Sequence, residues 1–332
     1  MKALSRGALL CLLALTACTP RGASQVATGL GDVTVADAGS TEPDAGADGG
    51  VTFTDDGGCT CANWGAPQNA GVLGDPELVE LSGLAASWSH PGVLWAHNDS
   101  GDTARFFAIT ENGTALNRFS LPGVAARDFE DIAVGPCPAG SCVFLGDIGD
   151  NLTVRDDTCV YRVAEPPLDA DAGFGAVPVT FDRFDFAYPN GVHHNAETLL
   201  VHPVTGDVYV LTKHGTGTKS RVYKFPQPMV AGTKATLEFL TELPVPATGD
   251  LMLTGGDFSP CGNALLLRMY NRVVELRMQP GQGLESVFTA PVRPVPTASE
   301  GQGEAVTWGR GGTSYFTASE GGAQQLHRYD CQ

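Results

Sequence analysis

The chain has 332 residues, of which 17% are charged and 42% hydrophobic, and its formal net charge is −17. That charge argues against binding to nucleic acid or to an anionic membrane surface, because both repel an acidic protein. The 42 glycines favour a domain with many tight turns, so a single large β domain preceded by a tail is expected.

The first 17 residues have the pattern of a secretory signal. Lys2 and Arg6 precede an apolar run over residues 8–17, which is too short to span a bilayer. The run ends in the letters LTAC at Cys18, which resemble a bacterial lipobox. An ordinary secretion signal that contains a cysteine is the alternative. The lipobox predicts that Cys18 is lipidated in the cell envelope, and Thr19 indicates the outer membrane, on its periplasmic or surface face.

Residues 18–69 are predicted to be an acidic, disordered tether, and residues 70–332 the folded domain. The tether is rich in Gly, Ala, Asp, Thr and Ser, with few large apolar side chains. Such a segment cannot bury enough surface to offset the entropy lost on ordering.

Seven cysteines remain after the signal and the lipidated residue are set aside, so at least one is unpaired. Cys137 and Cys142 flank a Pro-Ala-Gly-Ser turn between two predicted strands, and we expect them to form a disulfide. A zinc site at Cys59 and Cys61 is not expected, because no neighbouring His or Cys supplies further ligands.

Five stretches of the folded domain share one layout: an oxygen-bearing residue, an apolar strand, a turn, a second strand and a polar loop. The opening residues are 48, 67, 57 and 50 positions apart. A period near 50 with short strands is typical of a β-propeller. We therefore predict an all-β, five-bladed propeller with four-stranded blades. The alternative is a six-bladed ring with a degenerate blade within residues 164–189.

β-branched and aromatic runs, punctuated by Gly, Asn, Asp and Pro, predict the strands of each blade. The fifth blade runs out of chain after three strands, and an open edge invites aggregation. We expect residues 70–79 to complete it as the outer strand. In chain order, the predicted strands are 81–87, 93–97, 105–110 and 116–121; 132–134, 143–146, 160–164 and 179–186; 198–201, 208–212, 221–225 and 235–240; 255–258, 264–269, 273–277 and 286–290; 305–308, 313–317 and 326–329.

Equivalent positions at the start of five inner strands point at one axis, so their oxygens should form a ring. Two carboxylates about 5 Å apart repel by roughly 3 kcal/mol at a dielectric near 20, so three require a cation, a proton or a basic side chain between them. An all-oxygen ring suits Ca²⁺, which takes about 6–8 oxygens, and it does not suit zinc. The alternative is that each carboxylate accepts hydrogen bonds from a neighbouring blade's backbone. The predicted calcium ligands are Ser82, Glu130, Glu197, Thr254 and Glu304.

The loops between the second and third strands lie on the same face as the ring. Asp99 and Asp147 in these loops could activate a water as general bases, although turns also favour Asp. Lys213, His214 and Arg268 could grip an anionic ligand, or could instead balance the charge of the ring. The predicted ligand-binding residues are His97, Asn98, Lys213, His214 and Arg268.

Two resemblances to known families rest on short motifs. The stretch from about Glu77 to Cys331 resembles exported bacterial propellers labelled phytase-like or TolB-like, through HNDSGD (97–102), GDIGDN (146–151), AETLLVHP (196–203) and GGDFSP (255–260). The ring order is similar to that of calcium-activated apyrases, five-bladed propellers with a central Ca²⁺ and the inner-strand order Ser, Glu, Glu, Ser, Glu. The apyrase DDRTG turn is matched by NDSG at 98–101. Ser100 stands where apyrases have Arg, and their later Lys-Glu-Trp loop is missing, so the resemblance implies the calcium ring rather than nucleotide hydrolysis.

The sequence thus predicts a lipid-anchored cell-envelope propeller with a central calcium that binds a small anionic or polar ligand at the channel mouth. One alternative is a calcium-dependent phosphoester hydrolase, with Asp99 and Asp147 near the attacking water. The other is a structural or protein-docking propeller, in which the ion only holds the ring together.

Overall fold

The computed structural model describes residues 59, 61–169, 171, 173, 175–213, 219–245 and 252–332. The predicted signal peptide, Cys18 and most of the predicted tether lie outside the described residues. Across the described ranges, no helix has the length and apolar character needed to cross a membrane.

In the described part of the chain, twenty-two strands form five separate sheets of four or five strands. The strands are β1 Gln68–Val72, β2 Leu81–Ala86, β3 Val93–Asn98, β4 Arg105–Thr110, β5 Ala115–Ser120, β6 Phe129–Cys137, β7 Gly140–Asp147, β8 Cys159–Ala164, β9 Ala176–Pro178, β10 Asp182–Ala187, β11 Ala196–Val201, β12 Val208–Thr212, β13 Arg221–Lys224, β14 Ala235–Thr236, β15 Glu238–Glu242, β16 Leu253–Phe258, β17 Ala264–Met269, β18 Arg272–Arg277, β19 Val292–Val295, β20 Gly303–Trp308, β21 Ser314–Ser319 and β22 Gln325–Asp330.

The sheets are the blades of a five-bladed β-propeller, which confirms the predicted fold. From the inside outwards the blades are β2-β3-β4-β5-β9, β6-β7-β8-β10-β14, β11-β12-β13-β15, β16-β17-β18-β19 and β20-β21-β22-β1. Each inner strand packs against the inner strands of both neighbouring blades, so the ring is closed. Inner strands such as β2 are buried along their whole length, because a blade covers each face.

The six-bladed alternative is wrong. The stretch that might have hidden a sixth blade supplies strands to two blades instead. β9 adds to the outer edge of blade one in parallel, and β10 is the fourth strand of blade two. In the same way, β14 adds to blade two, so the outer strand of blade three, β15, begins three residues later than predicted.

The outer strand of blade four also differs from the prediction. Residues 286–290 were expected to form it, but Leu284–Thr289 is a 3₁₀ helix and the strand is β19. The cause lies in two adjacent apolar residues, Val287 and Phe288, which are both fully buried. A strand would turn neighbouring side chains to opposite faces, whereas a helical turn can bury both against the blade.

The ring closes through β1, which pairs antiparallel with β22 as the outer strand of blade five. This confirms the predicted closure, and the folded part begins earlier than the predicted boundary at residue 70. Disulfides join Cys59 to Cys261 in blade four and Cys61 to Cys331 at the chain end. Between these cysteines and β1, the ring of Trp64 packs edge-on against Trp308 at 5.4 Å.

The remaining cysteines follow the sequence prediction. Cys137 and Cys142 form the expected disulfide across the hairpin between β6 and β7. Cys159 is the unpaired thiol among the described cysteines, and it is buried.

Candidate functional site

The five opening residues share one backbone feature. In every blade the pairing between the first and second strands skips one residue, so this residue has no partner in the second strand. Such β-bulges re-aim the extra side chain and are frequent beside functional sites. The five inner strands surround a central channel, and the five equivalent bulges lie at one end of it. We call this end the channel mouth. The unpaired residues are Ser82, Glu130, Glu197, Thr254 and Glu304.

The two hydroxyl members of the predicted calcium ring link neighbouring blades. Ser82 Oγ donates a 2.6 Å hydrogen bond to the backbone oxygen of Glu130, and Thr254 Oγ1 donates a 3.0 Å hydrogen bond to that of Gly303. Both side chains are buried. Their hydroxyl protons thus hold blade one to blade two and blade four to blade five.

Three carboxylates converge between blades one and two. The ligand oxygens of Asp99, Asp128 and Glu130 all lie within 4.8 Å of one another. Glu130 is only 4% exposed, and no donor in the described part of the chain hydrogen-bonds to its carboxylate or to that of Asp128. A buried carboxylate without a hydrogen-bond donor costs free energy. We call the cluster of Asp99, Asp128 and Glu130 the acidic triad.

The electrostatics of the acidic triad reflect this lack of partners. Burial raises the pKa of Glu130 well above its usual range, and the charges of Glu197 and Asp99 raise it further. Burial, together with the charge of Asp99, raises the pKa of Asp128 to about 6. A bound cation would remove both penalties, since it favours the charged form of every carboxylate around it.

The loop after β7 supports the triad. Asp147, a predicted general base, is buried and accepts hydrogen bonds from Arg155 Nη2 at 2.7 Å and from the backbone N–H of Asp128 at 3.1 Å. It therefore positions Asp128. Asp150 accepts hydrogen bonds from two backbone N–H groups of the same loop, which is turn chemistry.

Glu197 and Glu304 lie on the other side of the mouth. Glu197 is bound on both oxygens, by Lys213 Nζ at 2.5 Å and by Asn195 Nδ2 at 3.2 Å. Lys213 also donates to the Tyr270 hydroxyl at 2.8 Å. Burial raises the pKa of Glu197 to about 7, and burial with the charge of Glu197 raises that of Glu304 to about 9.

The other predicted ligand-binding residues have different positions. Asn98 is bound within the protein, since its Oδ1 accepts from the N–H groups of Val79 and Glu80. His97 is fully buried beneath the mouth, with Nδ1 2.8 Å from the oxygen of Asn98. Arg268 is also fully buried, and its Nη2 donates to Glu300 at 2.5 Å. His214 lies outside the described residues.

Sequence reasoning missed Asp128 and Gly149. Asp128 is followed closely by Glu130 and Asp131 in the sequence, and this acidic run was the available signal. Gly149 lies in the GDIGDN motif, but only the structure shows that its α-carbon adjoins the carboxylates of the triad.

Comparisons with known proteins give no family for the chain. No family model matches the chain, and no curated protein matches its sequence. One solved structure with a similar fold is the PQQ-bound form of aldose sugar dehydrogenase from Streptomyces coelicolor. It is 12% identical, with a TM-score of 0.46, over 82% of this chain and 99% of that chain. At this level of similarity no ligand or activity is carried over, and the resemblance to apyrases and phytase-like propellers stays a prediction.

Proposed function

We propose that this protein is a cell-envelope propeller that binds calcium at the acidic triad and, through the ion, a small anionic or polar ligand at the channel mouth. The supporting observation is that Asp99, Asp128 and Glu130 gather at the blade one and blade two junction without hydrogen-bond donors for two of the three carboxylates.

The size and chemistry of the triad fit the ion. Oxygens that bind one Ca²⁺ at about 2.4 Å lie no further than about 4.8 Å apart, which is the limit met by the three carboxylates. Three carboxylates fill only part of a shell of about 6–8 oxygens, so waters or an oxygen-bearing ligand would supply the rest. All three side chains of the triad would bind a metal through carboxylate oxygens, which favours calcium over zinc.

The charge around the mouth decides the kind of ligand. Glu80, Glu304 and Glu320 place three further carboxyl groups near the triad, and burial together with contact with Glu80 raises the pKa of Glu320 to about 7. Lys213 and Arg268, predicted to grip an anion, are already paired with Glu197 and Glu300. An anionic ligand would therefore need the bound ion to offset the charge of the carboxyl groups. An uncharged polar ligand would bind the ion through its own oxygen atoms.

Calorimetric titration of the purified domain with Ca²⁺ and with Mg²⁺ tests the ion. One equivalent of Ca²⁺ should bind and raise the melting temperature, and Glu130→Gln should abolish most of the heat. If the wild-type protein gives no heat and no thermal shift with Ca²⁺, the proposal fails. If Ca²⁺ does bind, screening phosphate esters with and without Ca²⁺ would decide between the binding protein and the phosphoester hydrolase.

The envelope location rests on the sequence around Cys18 and needs its own test. We propose that Cys18 carries the lipid anchor, so Cys18→Ser should move the protein from the membrane fraction to the soluble fraction. Unchanged fractionation of this variant would contradict the anchor and leave the calcium site unaffected.

A further inference from the structure

Lys213 places an ammonium group inside the ring of carboxylates. Its side chain is 14% exposed, and Nζ lies 2.5 Å from Glu197 Oε2, 2.8 Å from the Tyr270 hydroxyl and 4.9 Å from the centre of the Tyr270 ring. Carboxylate, hydroxyl and aromatic ring are the groups that bind a free cation in proteins. The ammonium therefore occupies a cation site built from blades three and four.

The backbone fixes this arrangement. The N–H of Lys213 donates to the oxygen of Asn195, and the side-chain amide of Asn195 in turn donates to the other oxygen of Glu197. Both oxygens of Glu197 are thus satisfied within the protein. Glu130, at the equivalent bulge of the preceding blade, has no described donor.

The two glutamates consequently differ in what they can offer a metal. Glu197 would have to leave Lys213 Nζ and Asn195 Nδ2 before it could bind a metal. No such hydrogen bond holds the carboxylate of Glu130 within the described part of the chain. The positive charge of the ammonium also acts to lower the pKa values of Asp99, Glu130 and Glu304, so it reduces the negative potential at the acidic triad.

We propose that Lys213 is an internal counter-ion that limits calcium affinity at the channel mouth, by holding Glu197 away from the metal and by repelling it. This inference rests on the proposed calcium site and names the residue that tunes it. Lys213 is a positioning residue and touches neither ion nor ligand.

The test compares Lys213→Met, which keeps the length of the side chain and removes its charge, with Lys224→Met. Lys224 is a matched control, because its ammonium also pairs with two carboxylates, those of Asp207 between β11 and β12 and of Glu285 in the 3₁₀ helix before β19. Calcium titration should show affinity about tenfold or more tighter for Lys213→Met, since one repelling charge near a divalent ion is removed. Lys224→Met should match the wild type. The double variant Lys213→Met, Glu197→Gln should have a calcium affinity closer to that of the wild type, because it loses one negative charge together with the positive one.

The outcomes separate the two proposals. If wild type binds Ca²⁺ and Lys213→Met binds it equally or more weakly, the counter-ion role is overturned and the calcium site stands. If neither the wild type nor any variant binds Ca²⁺, the calcium site fails, and the effect of Lys213 on calcium affinity fails with it. Melting in chelator then tests only whether Lys213 compensates the charge of its neighbouring carboxylates. In that case Lys213→Met should melt lower than Lys224→Met, because Glu197 and Glu304 lose their compensating charge. Equal melting of the two variants would overturn it.

Discussion

The α-carbon of Gly149 lies against the carboxylate of Glu130, so closely that a methyl group at position 149 would overlap Glu130 Oε1 and Asp128 Oδ2. Gly149→Ala should therefore push both carboxylates out of the triad. We expect calcium binding to weaken at least tenfold in a titration. The backbone of Gly149 is not in the left-handed region, so the loss would come from the side-chain clash and not from backbone strain.

Gly283→Ala is the matched control for this variant. A methyl group at position 283 would meet no atom within 4 Å, and the backbone there has φ −69°, which alanine adopts freely. Its calcium affinity should equal that of the wild type. Wild-type affinity in Gly149→Ala would show that the triad does not hold the ion.

Most of the fold could be predicted from the sequence, because five copies of one pattern fix the inner strands and each copy places its bulge at the same position. The site could be predicted only in part. A bulge position says where a side chain points but not which partner reaches it, so Ser82 and Glu130 looked equivalent. Carboxylates that accept a neighbouring blade's backbone N–H do occur, but at other positions. Asp131 accepts from the N–H of Leu199 at 2.9 Å, and Asp257 accepts from that of Trp308 at 2.9 Å. Such pairings depend on contacts across blades, which no local pattern records.

Glu165 offers a test of how blades one and two hold together. Its carboxylate accepts hydrogen bonds from the indole of Trp95 at 2.7 Å, from Ser141 Oγ at 2.5 Å and from backbone and hydroxyl groups of residues 87–89. Glu165→Gln replaces one acceptor by a donor facing other donors. We expect the free energy of unfolding to fall by about 2–3 kcal/mol in chemical denaturation.

The effect of Glu165→Gln should depend on pH. Burial alone would raise the pKa of Glu165, but the donors at Ser141, Ser87 and Trp95 hold it below its usual value. A lowered pKa contributes stability above the unfolded value of about 4.3 that is lost as pH falls through the folded value. The difference between variant and wild type should shrink below about pH 4. Glu238→Gln, at an exposed carboxylate, should change stability little at any pH.

The N-terminal disulfides should contribute more stability than the hairpin disulfide. Cys59–Cys261 and Cys61–Cys331 join residues 202 and 270 positions apart, whereas Cys137–Cys142 joins residues 5 apart. A longer closed loop removes more entropy from the unfolded chain. Replacing Cys61 and Cys331 by Ser should cost about 2–5 kcal/mol in denaturant unfolding. Replacing Cys137 and Cys142 should cost less, and an equal cost for the two pairs would contradict this account of closure.

The effect of Glu130→Gln on stability should have opposite signs with and without calcium. Without the ion, the Glu130 carboxylate is buried beside other carboxylates and lacks a described donor, and its raised pKa means that stability is lost as pH rises through the folded value. The variant should therefore be as stable as the wild type or more stable in chelator at pH 8. In calcium at about one hundred times the dissociation constant, the wild type gains about 2.7 kcal/mol from binding, and the variant should be the less stable protein.

Glu197→Gln should behave differently, because it removes the partner of Lys213 and leaves a largely buried ammonium. It should be less stable than the wild type in chelator as well as in calcium. Thermal melts of both variants under the two conditions distinguish the roles of the glutamates. If Glu130→Gln, like Glu197→Gln, is less stable than the wild type in both conditions, Glu130 is held by an ordinary hydrogen bond and the acidic triad is not a metal site. The reason is that only a site that lacks its cation becomes more stable when it loses a carboxylate.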